Sequence, residues 1–201
     1  MRGCCASRGR SPTSRGSTPS AASISPKRSA TGGRRRAIED EALRPIRDSL
    51  SWPAEERTLS EPIRGSCLCG AVSFAIDGKI GPAGQCHCSK CRKVSGTDGN
   101  AVFYTSVRSF RWLGGEANIA SFAVPGGAGW TSTFCRTCGS PTPHPDAEGK
   151  IYFVPAGLLD DDPGFRGYAA HIFVGSKAPW VCITDGAPQY AEGFGSPVMQ
   201  G

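Results

Sequence analysis

The chain has 201 residues, ten of them cysteines, with 23 Lys and Arg against 17 Asp and Glu. Residues 1–60 carry 12 basic and 6 acidic residues, whereas residues 61–201 carry 11 of each, so all the net charge of +6 belongs to the N-terminal segment. No run approaches the roughly 18 apolar residues of a membrane-spanning helix, and the neutral C-terminal part is unlike a basic nucleic-acid-binding domain.

The first segment, residues 1–58, is predicted to be a disordered tail rich in Arg and Ser. It shows no apolar periodicity before about Ile38, so it buries too little surface to offset the cost of ordering. It lacks the apolar run of a secretory signal, which favours a reducing, cytoplasmic location. An organelle transit peptide, or binding to nucleic acid or an anionic membrane, are alternatives. We favour a solvated extension or upstream sequence, because no aromatic or helical pattern interleaves the arginines.

The second segment, residues 59–198, is predicted to be one all-β domain. Short runs rich in β-branched and aromatic residues alternate with Gly, Pro and Asp, which is typical of a sandwich or barrel-like fold. Asp77-Gly78 has the composition of a hairpin turn. The one helical stretch, Ser89–Ser95, is judged too short to matter. The predicted strands cover residues 71–76, 101–105, 110–113, 130–134, 151–154 and 171–174.

Seven cysteines of this domain fall into three clusters of two, three and two. In a reducing compartment such spacings favour metal over disulfides. Cys67 and Cys69 project from the same face if the chain is extended, and Cys135-x-x-Cys138 followed by Gly139 is a knuckle that can fold around an ion. The two outer pairs therefore predict a closed structural zinc site with four thiolates.

The middle cluster supplies only three sulfurs, from Cys86, Cys88 and Cys91 within one six-residue segment. Three protein ligands leave a coordination position open, as in a catalytic zinc site. A zinc ion with three thiolates is a weak Lewis acid and is better suited to presenting a soft thiolate than to making hydroxide. The ligand set therefore favours a thiol substrate that attacks a carbon electrophile.

Water, an external thiol or a histidine are candidates for the fourth position of this tripod. His87 lies between two sulfurs and should point away from the ion in an extended segment, which favours a supporting or surface role. His144, among prolines, and His171, in an apolar strand, are interpreted as structural. Cys182, in another apolar run, is interpreted as a small buried hydrophobic residue.

Three segments resemble the glutathione-dependent formaldehyde-activating enzymes, a family whose domain is shared with centromere protein V. They are residues 65–72, residues 86–93 with Gly96, and residues 134–140. Residues 157–160, 171–173, 177–180 and 185 are similar to the closing part of that domain. The resemblance implies a β-tent fold of two curved antiparallel sheets. It also implies a structural zinc on Cys67, Cys69, Cys135 and Cys138 and a catalytic zinc on Cys86, Cys88 and Cys91.

The leading hypothesis is therefore a carbon–sulfur lyase with two zinc ions per chain. The family reaction joins glutathione, as co-substrate, to formaldehyde and gives S-hydroxymethylglutathione. A basic group beside the tripod, Lys90, Arg92 and Lys93, could attract an anionic thiol. The partners are then a small thiol and an aldehyde, with no membrane and no nucleic acid. The alternative is a non-catalytic zinc-binding interaction module, associated with nucleic acid through its tail.

Overall fold

The computed structural model describes residues 56–127 and 130–199 of the chain. Residues 1–55, most of the predicted tail, lie outside the described residues, so the prediction made for them stays a prediction. Arg57–Thr58 forms a short strand that pairs with a later one, so regular structure begins just before residue 59. No helix in the described ranges has the length and apolar character needed to cross a membrane.

Twelve strands, one α-helix and three short 3-10 turns are found in the described part of the chain. The strands are β1 (Arg57–Thr58), β2 (Ile63–Ser66), β3 (Ser73–Ile76), β4 (Lys79–Ile80), β5 (Gly84–Cys86), β6 (Asn100–Ser106), β7 (Phe110–Gly114), β8 (Ile119–Ala123), β9 (Thr131–Cys135), β10 (His144–Pro145), β11 (Ile151–Pro155) and β12 (Ala170–Ile172). The helix, α1, is Ser89–Ser95, and the 3-10 turns are Glu116–Asn118, Ala156–Leu158 and Val174–Ser176. The prediction of a mainly β protein is confirmed.

Strand β6 lies at the centre of the largest sheet. One edge of β6 pairs with β11, which pairs in turn with β10. Its other edge pairs with β5 and β4, and these lead outward to β12 and β1. A second sheet has the order β2-β3-β7, and β8 pairs with β9 in a two-stranded ribbon. The pairing is antiparallel except between β5 and β12, which run parallel.

The Asp77-Gly78 pair does not make the predicted hairpin. Strand β3, before it, pairs with β2 and β7, whereas β4, after it, pairs with β1 and β6. Gly78 has a φ of 112°, so the pair does turn the chain as a Gly-containing turn should, but it moves the chain from one sheet to the other. The local sequence specifies the turn, and the packing of both sheets decides which strands pair.

Apolar side chains from both sheets form one shared core. Phe74 of β3 stacks on Phe110 of β7 with ring centroids 5.4 Å apart, and Phe110 stacks on Tyr152 of β11 at 4.0 Å. The buried members of this cluster are Ile63, Phe74, Ile76, Ile80, Ala83, Phe103, Phe110, Val154 and Leu158. Cys182 is exposed, contrary to its interpretation as a buried residue, because the segment around it lies on the surface.

Candidate metal centres and cavity

Four sulfur-bearing residues come together where the three-stranded sheet meets the β8–β9 ribbon. Cys67 and Cys69 follow the end of β2, and Cys135 ends β9 with Cys138 three residues later. Cys67 and Cys69 lie in a turn, so the extended geometry expected for them is wrong. The turn is closed by the Gly70 N–H, which donates to the Cys67 carbonyl at 2.9 Å. The sulfurs converge because the chain bends around them.

The second pair sits in a matching turn. The Gly139 N–H donates to the Cys135 carbonyl at 2.9 Å, and Gly139 has a φ of 76°. Gly70 has a φ of 73°, so each pair is followed by a glycine in the left-handed region. This conformation costs most residues roughly 1–2 kcal/mol and glycine little, which explains the glycine at both positions.

The distances within this group fit a tetrahedral ion. Cys67 Sγ lies 3.5 Å from Cys69 Sγ, which lies 3.8 Å from Cys135 Sγ. All seven clustered cysteines are free, and these separations far exceed the roughly 2.05 Å of a disulfide bond. A zinc–sulfur bond of about 2.3 Å gives a tetrahedron with edges of about 3.8 Å. The spacing of the sulfurs therefore suits four thiolates around one zinc-sized ion.

Hydrogen bonds and charge repulsion divide the protons unevenly among these thiols. The Val72 N–H donates to Cys67 Sγ at 3.3 Å, and the Asn118 side chain donates to Cys135 Sγ at 3.2 Å. Hydrogen bonding with Ser140 lowers the pKa of Cys138 to about 5. The Ala71 N–H acts to lower the pKa of Cys69, but burial and the adjacent thiols raise it to about 12. Four thiols this close resist ionising together, and a cation between them removes that repulsion.

The other three cysteines meet at the junction of β5 and α1. Cys86 ends β5, Cys88 is the N-cap of α1, and Cys91 lies in its first turn, with their sulfurs all within 4.8 Å of one another. The Cys91 N–H donates to Cys88 Sγ at 3.3 Å. The expectation that α1 is too short to matter is wrong, because this helix determines how two of the three sulfurs face the first.

Hydrogen bonding within the tripod makes the Cys86 thiol more acidic than the Cys91 thiol. Hydrogen bonding with Cys91 lowers the pKa of Cys86 to about 7, although burial opposes the change. The same interaction, together with burial, raises the pKa of Cys91. The Cys86 thiolate is therefore accessible near neutral pH, whereas a bound metal ion would favour ionisation of Cys91 as well.

His87 is not part of the tripod. Its side chain is 1% exposed, and its Nε2 lies 2.9 Å from Nδ1 of His171. Nε2 of His171 lies 2.9 Å from a carboxylate oxygen of Asp185. Burial, with the nearby His171, lowers the pKa of His87. The string His87–His171–Asp185 therefore ties the tripod segment to β12 and to the loop that follows it, and a surface position for His87 is wrong.

A cavity of about 370 Å³ opens beside the tripod. Cys86 and Cys91 line it, whereas none of the four cysteines of the other group does. Its remaining lining residues are Gly84, Asn100, Val102, Phe103, Tyr104, Trp130, His144, Phe153, Ile172, Phe173, Gly193 and Phe194. The three-cysteine group therefore borders a space of ligand size, and the four-cysteine group does not line that space.

Few polar side chains face this cavity. Asn100 is paired with Cys86 across β5 and β6, and His144 lies on β10 opposite Phe153 of β11. Burial lowers the pKa of His144, so its imidazole is neutral at pH 7. A neutral imidazole and an amide can each donate one hydrogen bond to an oxygen without placing a charge in the cavity. Sequence reasoning placed His144 among structural residues and gave Asn100 no role.

Two of the three basic residues beside the tripod contact neighbouring loops. Lys90 donates to the Gly126 carbonyl in the loop between β8 and β9, and Arg92 donates to the Ser176 carbonyl at 3.3 Å. Both therefore hold α1 against the loops on either side of it. Lys93 is exposed on the helix, where it can still attract an anionic group.

The chain is similar in sequence to a known protein family. The family model described as "Glutathione-dependent formaldehyde-activating enzyme" matches residues 62–176. A curated protein of Halomonas elongata, named "Putative glutathione-dependent formaldehyde-activating enzyme", is 28% identical over 130 residues, which are 60% of this chain and 80% of that protein. A crystal structure of a Rhodobacter sphaeroides protein is 26% identical, covers 50% of this chain and 91% of its own, and has a TM-score of 0.41.

Proposed function

The chain belongs to the glutathione-dependent formaldehyde-activating enzyme family, and from that premise we propose that it is a zinc-dependent carbon–sulfur lyase. It joins a small thiol, glutathione in the first instance, to an aldehyde, and it also catalyses the reverse cleavage. Cys86, Cys88 and Cys91 would hold the catalytic zinc. The four-cysteine group would hold a structural zinc, which gives two ions per chain.

One observation carries this proposal: the three-cysteine group borders the cavity and the four-cysteine group does not. Four thiolates complete a tetrahedral site and leave no position for a substrate, whereas three leave one. A non-catalytic module would have no need of an incomplete site beside a cavity of ligand size. The same contrast divides the cysteines into those that stabilise the fold and those that serve the reaction.

When bound at the tripod, zinc would keep a substrate thiol deprotonated and nucleophilic at neutral pH. The protein residues would then orient the aldehyde and stabilise the charge that develops on its oxygen. Asn100 and His144 are the candidates for this, because both face the cavity and can donate a hydrogen bond. The apolar lining lowers the local dielectric constant and so strengthens each of these polar interactions.

Exchange spectroscopy by NMR tests the proposal directly. Zinc-loaded protein should accelerate both formation and breakdown of the glutathione–formaldehyde adduct relative to buffer. Cys88→Ser should slow this exchange by about 100-fold or more, since loss of even the hydrogen-bond partners of metal ligands costs 10- to 100-fold. Ser89→Ala, at the adjacent exposed position of α1, is the matched control and should behave as the wild type.

Metal analysis and thermal unfolding separate the two zinc sites. Cys88→Ser should retain one zinc and nearly the wild-type melting temperature. Cys135→Ser should lose the other zinc and unfold at a lower temperature, because Cys135, at the end of β9, is fully buried against Cys67 and Val72. Equal destabilisation by both substitutions would contradict this assignment of roles. Absence of acceleration with any small thiol would contradict the lyase itself.

A further inference from the structure

The cavity beside the tripod is far larger than formaldehyde requires. A molecule of water in the liquid occupies about 30 Å³, and formaldehyde is only slightly larger, so a space of about 370 Å³ has room for roughly ten such molecules. Substrate-binding pockets with a volume of 300 Å³ and more usually enclose most of the ligand's surface. A one-carbon aldehyde would leave most of this apolar space in contact with water.

The lining also excludes the body of glutathione. Among the described residues that line the cavity, none is Lys, Arg, Asp or Glu, and His144 is neutral. Glutathione carries two carboxylates and an ammonium group, and burying unpaired charges in such a space costs several kcal/mol each. The charged part of the thiol must therefore stay outside the cavity, which is left for the carbon partner.

Six of the fourteen described lining residues are Phe, Tyr or Trp, and one of them, Phe173, is held in place at a conformational cost. Phe173 has a φ of 56° and a ψ of 36°, a left-handed conformation that is rare for a bulky residue. Its N–H donates to the Glu192 carbonyl at 2.7 Å, and the next N–H groups donate to Tyr190 and Ala191. Such strain persists where the surrounding structure imposes it and is concentrated at binding sites.

The segment that imposes this strain, residues 190–194, also forms part of the cavity wall. Gly193 and Phe194 belong to it and line the space directly. The ring of Phe194 packs edge-on against Tyr190 at 5.7 Å. The described C-terminal segment therefore forms part of the cavity wall itself, through Gly193 and Phe194. It also holds Phe173, in another part of the wall, in its conformation. A space built in this way, from aromatic residues of distant parts of the chain, is a shaped apolar site.

We propose that this cavity selects an aldehyde with an apolar, ring-sized substituent, so that the lyase acts on S-(1-hydroxyalkyl) thiol adducts. The inference rests on the proposed function. The thiolate sulfur forms a bond to the carbonyl carbon, and the carbon–oxygen π bond breaks. The resulting alkoxide takes up a proton, which replaces the one lost by the thiol, so no oxidant or reductant is needed. The substituent lies in the cavity, and the charged part of the thiol stays outside.

Phenylacetaldehyde is a suitable probe, since its ring and short linker fit a space of this size. Exchange rates with glutathione are measured for phenylacetaldehyde and for formaldehyde, each relative to its uncatalysed reaction. The acceleration should be at least about tenfold greater for phenylacetaldehyde, because even one methylene in an apolar pocket contributes 10-fold or more. Phe194→Ala should reduce that preference, and Phe122→Ala, an aromatic truncation at an exposed site on β8, should not.

Binding of 2-phenylethanol, an unreactive analogue, gives a second readout that needs no turnover. Ligand-detected NMR should show saturable binding to the wild type and to Phe122→Ala, and weaker binding to Phe194→Ala. Absence of binding to the wild type overturns the inference. If the protein accelerates only reactions of formaldehyde, whether with glutathione or with 2-phenylethanethiol, this inference alone is overturned. If it accelerates the reaction of no thiol with any aldehyde, the proposed function is overturned and this inference with it.

Discussion

His87 shows at the scale of a single residue how neighbours in sequence take separate roles. Alternation along an extended segment directs its side chain away from the sulfurs on either side, and the structure has it there. Nε2 of His87 contacts Nδ1 of His171, on β12. Nε2 of His171 in turn lies beside the Asp185 carboxylate. The hydrogen bond between two rings 84 positions apart depends on the parallel pairing of β5 and β12, so nothing local predicts it.

His144 carries a pH dependence of stability whose sign follows from its burial. Its pKa is lowered from an ordinary value of 6.5, so the unfolded chain binds a proton more readily than the folded protein. Stability contributed by the neutral form is complete above about pH 6.5 and declines as the pH falls below it. His144→Gln does not titrate and should lose less stability on acidification. Urea unfolding at about pH 7.5 and 5 measures both losses.

The comparison between these two proteins isolates His144, because every other titrating group is common to both. A larger loss in the wild type is expected, and equal losses would show that burial of this imidazole has no energetic consequence. His144→Gln should also slow adduct exchange if the imidazole donates to the aldehyde oxygen. Stability and exchange thus report separately on the burial of the ring and on its hydrogen bond.

At the scale of elements, the seven-residue helix α1 has more influence than its length suggests. Cys88 caps it and Cys91 lies in its first turn, and Gly96 ends it in a left-handed conformation with a φ of 70°. The sequence predicts its bounds correctly, because the C-terminal glycine is a strong stop signal. Its importance could not be predicted from length, since a helix this short depends on tertiary contacts for its stability. Lys90 and Arg92 supply two of those contacts.

The end of β7 offers a test of how the four-cysteine group is supported. Gly115 has a φ of 82°, and a Cβ built there would lie 1.9 Å from the Ala71 carbonyl oxygen. Ala71 precedes Val72, whose N–H donates to Cys67 Sγ, so the required shift would disturb this sulfur. Gly115→Ala should therefore destabilise the protein by about 2 kcal/mol or more and weaken metal retention at this group.

Gly114 is the matched control for this substitution. A Cβ at Gly114 would lie no closer than 3.9 Å to the Ser73 hydroxyl oxygen, so Gly114→Ala fits the existing space. Denaturant unfolding and metal analysis of both variants measure the contrast. Similar stability and metal content in the two variants would mean that the backbone beside Cys67 adjusts freely, against the geometry observed.

At the scale of the whole molecule, the four-cysteine group joins the three-stranded sheet to the β8–β9 ribbon. Cys67 leaves β2 of the three-stranded sheet, and Cys135 ends β9 of the ribbon. Zinc bound here would close a long stretch of chain and stabilise only the folded state. We therefore propose that the domain draws part of its stability from an ion at this group.

Removal of zinc should lower the melting temperature of the wild type. A ligand at 1,000 times its Kd stabilises a protein by about 4.1 kcal/mol, which corresponds to roughly 8–16 °C for a protein of this size. Calorimetry with and without a chelator measures the shift, and added zinc should reverse it. Cys135→Ser should show a smaller shift than the wild type, because it has already lost this ion. A chelator-insensitive melting temperature would contradict a structural role.

The sequence by itself determined the mainly β architecture, the positions of six of the twelve strands in the described part of the chain, and the family. These depend on local features: β-branched and aromatic runs, glycines after Cys69 and Cys138, and cysteine spacings of two and three residues. Only the tertiary structure decided which strands pair across Asp77-Gly78, that Phe173 takes a left-handed conformation, and that a cavity opens beside one cysteine group. Local patterns fix what a segment prefers, whereas a cavity is the space left between segments, and its shape depends on the packing of all of them.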